Sequence, residues 1–169
     1  MTTIPTNHDR YSDAYLREIL TEVKSIAVAG VSANTARPSN TVFGYMQKAG
    51  YAMIGVNPGL AGKTLMGAPC YASLAIIPEP VDMIDIFRNS EAAGAIVDEA
   101  LQLKSLPKVI WMQLTVRNDD AATRAEAAGI KVVMNRCPKI EHGRMTGTIG
   151  FMGVNSRVLS ARPLRPVLR

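Results

Sequence analysis

The chain has 169 residues, of which 47% are hydrophobic and 20% are charged, with a formal net charge of +5 at pH 7. This length and composition exclude a disordered or collagen-like chain and suit a single domain with a sizeable core. No apolar run is long enough to cross a bilayer, and residues 1–10 lack the apolar centre of a signal peptide. We therefore expect a cytoplasmic protein with no membrane partner. Its two cysteines, Cys70 and Cys137, do not make a disulfide framework.

The positive charge is concentrated near the C-terminus. Residues 1–130 carry 11 Lys and Arg against 13 Asp and Glu, whereas residues 131–169 carry 8 Lys and Arg against Glu141 alone. We expect one domain over residues 1–169, with a core at about 13–141 and a basic tail at 142–169. The tail has no aromatic residue beyond Phe151 and no nucleic-acid motif, so the sequence disfavours nucleic-acid binding and favours a solvated tail.

Apolar spacing predicts helices and strands in alternation. The first helix has Ser12 placed to cap it, and Ser90 is expected to cap a later one. The predicted elements, in chain order, are a helix at 11–23, a strand at 26–29, a helix at 40–48, a strand at 51–56, a loop at 57–69 with a short strand near 68–71, a helical turn at 73–76, a strand at 81–87, a helix at 90–103, a strand at 108–112, a helix from Asn118 or Asp119 to 128, and a strand at 131–134. The segment beyond Ile140 has no assignable pattern.

Strands that recur about every 25 to 30 residues, with helical patterns between them, are typical of βαβ units and a parallel sheet. We therefore predict an α/β fold. Specifically, we expect a Rossmann-like, doubly wound, mostly parallel sheet of about five or six strands with helices on both faces.

The segment from Ser25 to Asn40 organises this prediction. Its first part, residues 26–29, is a continuous apolar run typical of a strand buried on both faces. Gly30 then allows a sharp turn, after which small polar residues lead into a helical pattern. A strand, a turn and a helix in this order leave backbone N–H groups free beside the positive end of the helix dipole, and Arg37 adds a guanidinium. We predict that this loop binds phosphate. The polar residues expected to form the turn and cap the helix are Ser32, Asn34, Thr35 and Ser39.

Ligands of open α/β sheets lie beyond the carboxyl ends of the strands. Here those ends carry several amides and three arginines and no carboxylate, so we expect an anionic ligand. The five sets of strand-end residues are Gly30-Val31-Ser32 with Arg37, Asn57-Pro58, Phe87-Arg88, Met112-Gln113-Leu114 and Asn135-Arg136-Cys137.

Two features argue against NAD as that ligand. The G-x-G-x-x-G fingerprint is absent, since no glycine follows Gly30 until Gly44. The second strand ends in Asn57-Pro58 rather than in the acidic residue that binds ribose hydroxyls. A neutral amide there would tolerate a phosphorylated ribose, because it carries no charge to repel it.

The chain also carries an ordered set of short motifs between about residues 13 and 141. They are Ala27-Val28-Ala29-Gly30-Val31-Ser32, Ala36-Arg37-Pro38-Ser39, Gly50-Tyr51, Val56-Asn57-Pro58, Ser73-Leu74-Ala75, Pro80-Val81-Asp82, Ile86-Phe87-Arg88, Trp111-Met112-Gln113-Leu114 and Arg136-Cys137-Pro138-Lys139-Ile140-Glu141. This set resembles the small stand-alone CoA-binding proteins, which are similar in turn to the CoA-binding domain of the succinyl-CoA synthetase alpha subunit.

The resemblance implies a Rossmann-type domain that binds coenzyme A, with no settled reaction. It places Gly30, Val31, Ser32 and Arg37 along the phosphates, together with Pro38 and Ser39 of the same motif. It also places Asn57, Pro58, Phe87 and Arg88 beside the adenosine, and Gln113 and Leu114 along the pantetheine path. Leu60 stands where the synthetases have a lysine, which leaves open whether Lys63 replaces it. The synthetase domain with a phosphorylated histidine is missing, so ligase chemistry is not implied.

Several residues keep two interpretations. Arg88 either binds the ligand or pairs with Glu91. Cys137 either packs in the core or, with its pKa lowered by Arg136 and Lys139, forms a mixed disulfide with CoA. His8 and His142 have neither metal-ligand spacing nor an adjacent nucleophile, so we predict no catalytic residue and no metal site.

The favoured function is the binding of coenzyme A or an acyl-CoA without evident catalytic residues, and whether any reaction is catalysed stays open. The first alternative is an NAD(P)-dependent oxidoreductase or an acyl-CoA-handling enzyme with unrecognised catalytic groups. The second is an interaction protein with a basic tail, and a protein partner or homo-oligomer remains open for each of these hypotheses.

Overall fold

The computed structural model describes residues 7–147, which form seven strands and five α-helices around one sheet. The strands are β1 (Ser25–Ala29), β2 (Ala52–Val56), β3 (Thr64–Leu65), β4 (Ala68–Tyr71), β5 (Met83–Ile86), β6 (Val109–Met112) and β7 (Lys131–Val133). The helices are α1 (Asp13–Glu22), α2 (Pro38–Lys48), α3 (Ser90–Leu101), α4 (Asp119–Ala127) and α5 (Pro138–Met145), with 3₁₀ turns at Pro58–Leu60 and Leu74–Ile76.

The sheet has the strand order β3-β4-β2-β1-β5-β6-β7. All neighbouring strands are parallel except β3 and β4, which are antiparallel. The chain builds outward from β1 through β2 to β4 and then returns to the other side of β1 with β5. The topological switch point therefore lies between β1 and β5, where ligands of such sheets bind. The predicted doubly wound, mostly parallel sheet is confirmed. Its seventh strand is the two-residue β3, which the sequence did not indicate.

Alternation of side chains along the strands divides the core into two layers. Val28 and Trp111 face α1, α2 and α5, whereas Ala27 and Ile110 on the same strands face α3 and α4. All four residues are buried, which is why the central strands read as continuous apolar runs. Burial of each large side chain in these layers contributes roughly 1.5–3 kcal/mol to the stability of the fold. Because β2, β1, β5, β6 and β7 are parallel, their carboxyl ends lie together at one edge of the sheet.

The helix starts follow their capping residues. Ser12 caps α1 by accepting a hydrogen bond from the Tyr15 N–H, as predicted. The prediction that Ser90 caps α3 is wrong, because the cap is Asn89, whose Oδ1 accepts from the Ala92 N–H at 2.8 Å.

Helix α5 is the main element that the sequence did not reveal. It begins with Pro138 at its first position and packs against α1 and α2. Polar Lys139 and Glu141 are among its buried residues, so it lacks the apolar stripe by which helices are recognised. Part of the predicted basic tail thus belongs to this helix, and residues 148–169 of that tail lie outside the described residues. Within residues 7–147, no helix combines the length and apolarity needed to cross a bilayer.

Candidate functional site

The turn after β1 lies at the switch point of the sheet. Gly30 has φ +87°, in the left-handed region that favours glycine, and its N–H donates to the Val56 carbonyl at 2.9 Å. A Cβ on this residue would lie 2.7 Å from the Arg88 Cδ and 2.7 Å from the Phe87 carbonyl oxygen. The first strand therefore turns directly against the residues that follow β5, which the sequence placed in the same site.

The polar side chains of the β1–α2 loop hold the loop itself. Ser39 Oγ accepts from the Ser32 N–H at 3.0 Å, and Ser32 Oγ accepts from the Asn34 N–H at 3.1 Å. Asn34 Oδ1 accepts from the Ala36 N–H at 2.9 Å. The prediction that these residues cap α2 is wrong, because the N-cap position is Arg37, whose side chain makes no capping bond. The loop is thus pre-organised by its own hydrogen bonds.

Backbone donors nevertheless remain free in this loop. The N–H groups of four residues make no hydrogen bond to an acceptor within residues 7–147, namely Val31, Ala33, Thr35 and Ser39. Val31 as a whole residue is 0% exposed and Ser39 is 4% exposed, so the free N–H groups that lie at the surface are those of Ala33 and Thr35. The loop therefore has free backbone N–H groups, as predicted, although its own polar side chains bind several of the others.

The N-terminus of α2 differs from those of the other helices. Among the five α-helices within residues 7–147, α2 alone has neither a side-chain cap nor an acidic residue in its first turn. Acidic side chains and caps normally offset the positive end of the helix dipole. At the start of α2 the exposed residues Arg37 and Pro38 offer neither a cap nor a negative charge, so the local charge is positive.

Three exposed cations lie at or near this edge. Arg37, Arg88 and Lys63 form no ion pair with any residue in the described part of the chain. The alternative that Arg88 pairs with Glu91 is therefore wrong, since no such contact is present. By contrast, the Arg136 guanidinium is held by the N-terminal segment, because it donates to the Asp9 carbonyl at 3.2 Å and stacks over the Tyr11 ring.

Asn57 braces the site rather than opening into it. Its Nδ2 donates to the Val31 carbonyl at 2.8 Å, and its Oδ1 accepts from the Gly59 N–H at 2.9 Å. The side chain thus ties the end of β2 to the β1–α2 loop. Pro58 beside it is exposed.

A buried polar pair lies behind the ends of β5 and β6. Asp85 is 1% exposed, and Gln113 is 5% exposed. Gln113 Nε2 donates to both carboxylate oxygens of Asp85, at 2.8 and 3.0 Å. Burial raises the pKa of Asp85 from 3.8 to about 7, and the Gln113 hydrogen bond opposes that shift. Leu114, the next residue after Gln113, is half-exposed at the edge of the sheet.

Sequence reasoning missed Asp85 as a site residue. The available signal was an acidic residue inside an otherwise apolar strand, since a carboxylate there must be paired or protonated. Thr115 was also missed, whereas Asn135 was among the predicted strand-end residues. Both have positive φ, of 72° and 56°, and the Thr115 N–H donates to Asn135 Oδ1 at 2.7 Å. Asparagine tolerates this conformation, but a threonine gives no such signal.

The prediction that neighbouring cations lower the pKa of Cys137 is wrong. Cys137 is buried, and burial raises the pKa of its thiol to about 11, with the Asp85 charge adding to the shift. Lys139 opposes this shift only weakly. Packing is thus the supported role of Cys137, and Cys70 is likewise buried.

The two histidines lie in different parts of the structure. His8 contacts the Tyr11 hydroxyl at 2.7 Å, and that hydroxyl accepts from the Met134 N–H just after β7, whereas His142 lies in α5. His8 contacts Glu126 at 3.0 Å, and His142 pairs with Tyr45 at 2.9 Å beside a small cleft between α1 and α5. Within residues 7–147, no group of three or more His, Cys, Asp or Glu side chains could hold a metal ion.

A mostly parallel, doubly wound sheet with an uncapped helix start beside its switch point is typical of a Rossmann-type domain. A family model described as a CoA binding domain matches residues 24–143. The chain belongs to this CoA-binding domain family.

Relatives are similar over most of their length. The uncharacterized protein YneT of Bacillus subtilis (strain 168) is 35% identical over 131 residues, which cover 78% of this chain and 94% of YneT. The solved structure of cell-free ID.343 from Thermus thermophilus has a TM-score of 0.74 and 36% identity, covering 80% of this chain and 99% of that one. A hypothetical protein from Pyrococcus horikoshii OT3 has a TM-score of 0.76 and 34% identity, covering 87% and 99%. The family resemblance seen in the sequence is thus confirmed.

Proposed function

We propose that this protein binds coenzyme A, free or as an acyl thioester, along the carboxyl edge of its sheet. In this proposal the pyrophosphate lies on the β1–α2 loop and the start of α2, with Gly30, Val31, Ser32 and Arg37 around it. Pro38 and Ser39 form the adjoining first turn of the helix.

The remaining contacts lie at the ends of the neighbouring strands. In this proposal Asn57 and Pro58, after β2, and Phe87 and Arg88, after β5, border the adenosine. Gln113 and Leu114 then line the path of the pantetheine arm. Family membership supports the ligand, and these individual contacts are part of the proposal.

The observation that carries the proposal is the start of α2. The starts of α2 and α3 both flank the switch point, and only that of α2 lacks both an acidic residue and a side-chain cap. The Arg37 guanidinium beside it has no ion-pair partner within residues 7–147. A ligand that brings two phosphate charges supplies what this site lacks.

Charge also favours CoA over NAD. The ribose phosphate monoester of CoA adds about −1.5 to −2 charges at neutral pH, and NAD has no such group. Arg88 and Lys63, which have no ion-pair partner within residues 7–147, are available to it. Charge-assisted hydrogen bonds contribute roughly 1.5–3 kcal/mol each, so two or three of them support micromolar binding after the entropy of association is subtracted.

Thermal unfolding with a ligand panel tests this proposal, because a ligand that binds only the native state raises the melting temperature. CoA is expected to raise it most, 3′-dephospho-CoA less, and NAD little. If NAD or NADP stabilises the protein more than CoA does, the proposal is wrong and the oxidoreductase alternative takes its place.

A further inference from the structure

Asp85 and Gln113 form a buried, hydrogen-bonded pair behind the carboxyl edge of the sheet. Asp85 stands on β5 between Val28 of β1 and Trp111 of β6, both of which are apolar and buried. No cation within residues 7–147 forms an ion pair with it, and its hydrogen-bond partner is the Gln113 amide. An unpaired buried carboxylate is costly, so its retention at this position calls for an explanation.

The hydrogen bonds fix which way the Gln113 amide faces. An ionised carboxylate only accepts hydrogen bonds, so the NH₂ group of the amide must point at Asp85. The amide oxygen Oε1 must then point the opposite way. Oε1 receives no hydrogen bond from a described residue.

Oε1 also reaches the molecular surface. The buried side-chain polar atoms without a hydrogen bond, among residues 7–147, are His8 Nε2 and Glu126 Oε1. Gln113 Oε1 is not one of them, so this atom keeps a small exposed surface although the residue as a whole is 5% exposed. Gln113 lies directly after β6, and its N–H donates to the Ile86 carbonyl at 3.2 Å, which places it at the carboxyl edge.

We propose that Asp85 is a positioning residue that presents the Gln113 amide oxygen as a fixed hydrogen-bond acceptor, and that this acceptor selects a ligand arm carrying an N–H group. The inference rests on the proposed function, which brings the pantetheine arm past Gln113. That arm contains two secondary amides, so it can offer the required donor.

Protonation of Asp85 reverses this arrangement. A protonated carboxyl can donate to Oε1, which turns the amide over and presents its NH₂ group to the ligand instead. The raised pKa of Asp85, about 7, puts this change near neutral pH. On the α5 side, the titratable group that senses the Asp85 charge is the Cys137 thiol, which also senses Lys139. That thiol stays neutral through the same range because burial raises its pKa to about 11.

Calorimetric titration of variants with two ligands tests the inference. Adenosine 3′,5′-bisphosphate carries the adenosine end of CoA and lacks the pantetheine arm, so it reports the rest of the site. Asp85→Asn keeps the shape of the side chain, but its amide can either accept from or donate to the Gln113 amide, so it no longer fixes the direction of that amide. Gln113→Met removes the amide and serves as a second variant if the first does not fold. Asp98→Asn is the matched control for Asp85→Asn, because it also removes one carboxylate but lies on the exposed surface of α3.

At about pH 8.5 we expect Asp85→Asn and Gln113→Met to bind CoA about three- to tenfold more weakly than the wild type, the range of one hydrogen bond. Their affinity for adenosine 3′,5′-bisphosphate should be unchanged, and Asp98→Asn should match the wild type with both ligands. At about pH 5.5 the difference in CoA affinity between wild type and Asp85→Asn should close, because Asp85 is then protonated in the wild type. Comparing proteins with the same ligand cancels the titration of the ligand itself.

Equal CoA affinity of the wild type and both variants at about pH 8.5 would overturn the inference, and so would equal weakening of both ligands. Either result leaves CoA binding in place. If neither ligand binds the wild-type protein, the proposed function itself fails.

Discussion

Gly30 and Arg88 contact each other across the switch point of the sheet, so closely that a Cβ on the glycine would lie 2.7 Å from the arginine Cδ. One residue ends the turn after β1, and the other follows β5. The methylene groups of Arg88 therefore lie over the turn that we propose as the phosphate seat. This contact holds the Arg88 side chain against the loop, and the described residues 7–147 include no ion-pair partner for its guanidinium.

Replacement of this glycine tests the contact. Gly30→Ala is expected to destabilise the fold by about 2–4 kcal/mol, because it combines left-handed backbone strain with a clash against Arg88 and the Phe87 carbonyl. Gly129→Ala is the matched control, since Gly129 has φ +85° and open space around its Cβ position. Its cost should be about 1–2 kcal/mol, from strain alone. Chemical denaturation measures both, and equal losses in the two variants would mean that the contact has no energetic weight.

Charge reversal at Arg37 separates ligand binding from folding. Arg37→Glu should weaken CoA binding at least about tenfold, because an attractive charge becomes a repulsive one at the pyrophosphate. The free energy of unfolding should change by less than about 1 kcal/mol, since the exposed side chain has no ion-pair partner within residues 7–147. Lys104→Glu makes the same charge change just after the C-terminal end of α3, and it should bind CoA normally. Unaltered binding by Arg37→Glu would remove the loop from the site.

Asp85 makes stability depend on pH in an unusual direction. Its pKa is about 7 in the folded protein against 3.8 for a free side chain, so between these values the folded state holds a proton that the unfolded state releases. Its contribution to stability is therefore full below about pH 4 and is lost as the pH rises to about 7. Asp85→Asn should remove this loss and be more stable than the wild type at about pH 8, by about 2–4 kcal/mol, with no such advantage at about pH 4. Urea unfolding at the two pH values checks this, and a variant that is less stable at both would contradict it.

Cys137 should resist thiol reagents in the folded protein. With a pKa of about 11, only about 0.1% of this thiol is ionised at pH 8, and the side chain is buried. Cys70 is also buried, and burial raises the pKa of its thiol as well. Labelling with an aromatic disulfide should therefore be slow in the native state and should reach two thiols after denaturation. Fast native labelling that disappears in Cys137→Ser would revive the mixed-disulfide hypothesis.

The sequence predicted most of the fold because the relevant signals are local. The run at residues 26–29 faces two apolar layers, so its pattern alone identifies a central strand. Ser12 caps α1 as predicted, and the helix predicted to begin at Asn118 or Asp119 begins at Asp119. The sequence did not predict helix α5, because its buried residues include Lys139 and Glu141. The burial of these polar residues depends on packing against α1 and α2 and not on neighbours in the chain.

The candidate site was predictable in place but not in detail. The strand ends and Gly30 indicated the edge of the sheet, because topology brings those ends together. The roles of individual side chains depend on hydrogen bonds between distant segments. Asn57 bonds to Val31, and Gln113 bonds to Asp85, so neither pairing can be read from spacing along the chain.

Native mass spectrometry with CoA and excess NAD present together tests the central claim most directly. The account predicts one CoA bound per chain in the wild type, with NAD unable to displace it, and loss of that complex in Arg37→Glu but not in Lys104→Glu. A wild-type protein that carries NAD in preference, or that stays free of CoA at ligand concentrations well above the micromolar range, would contradict it.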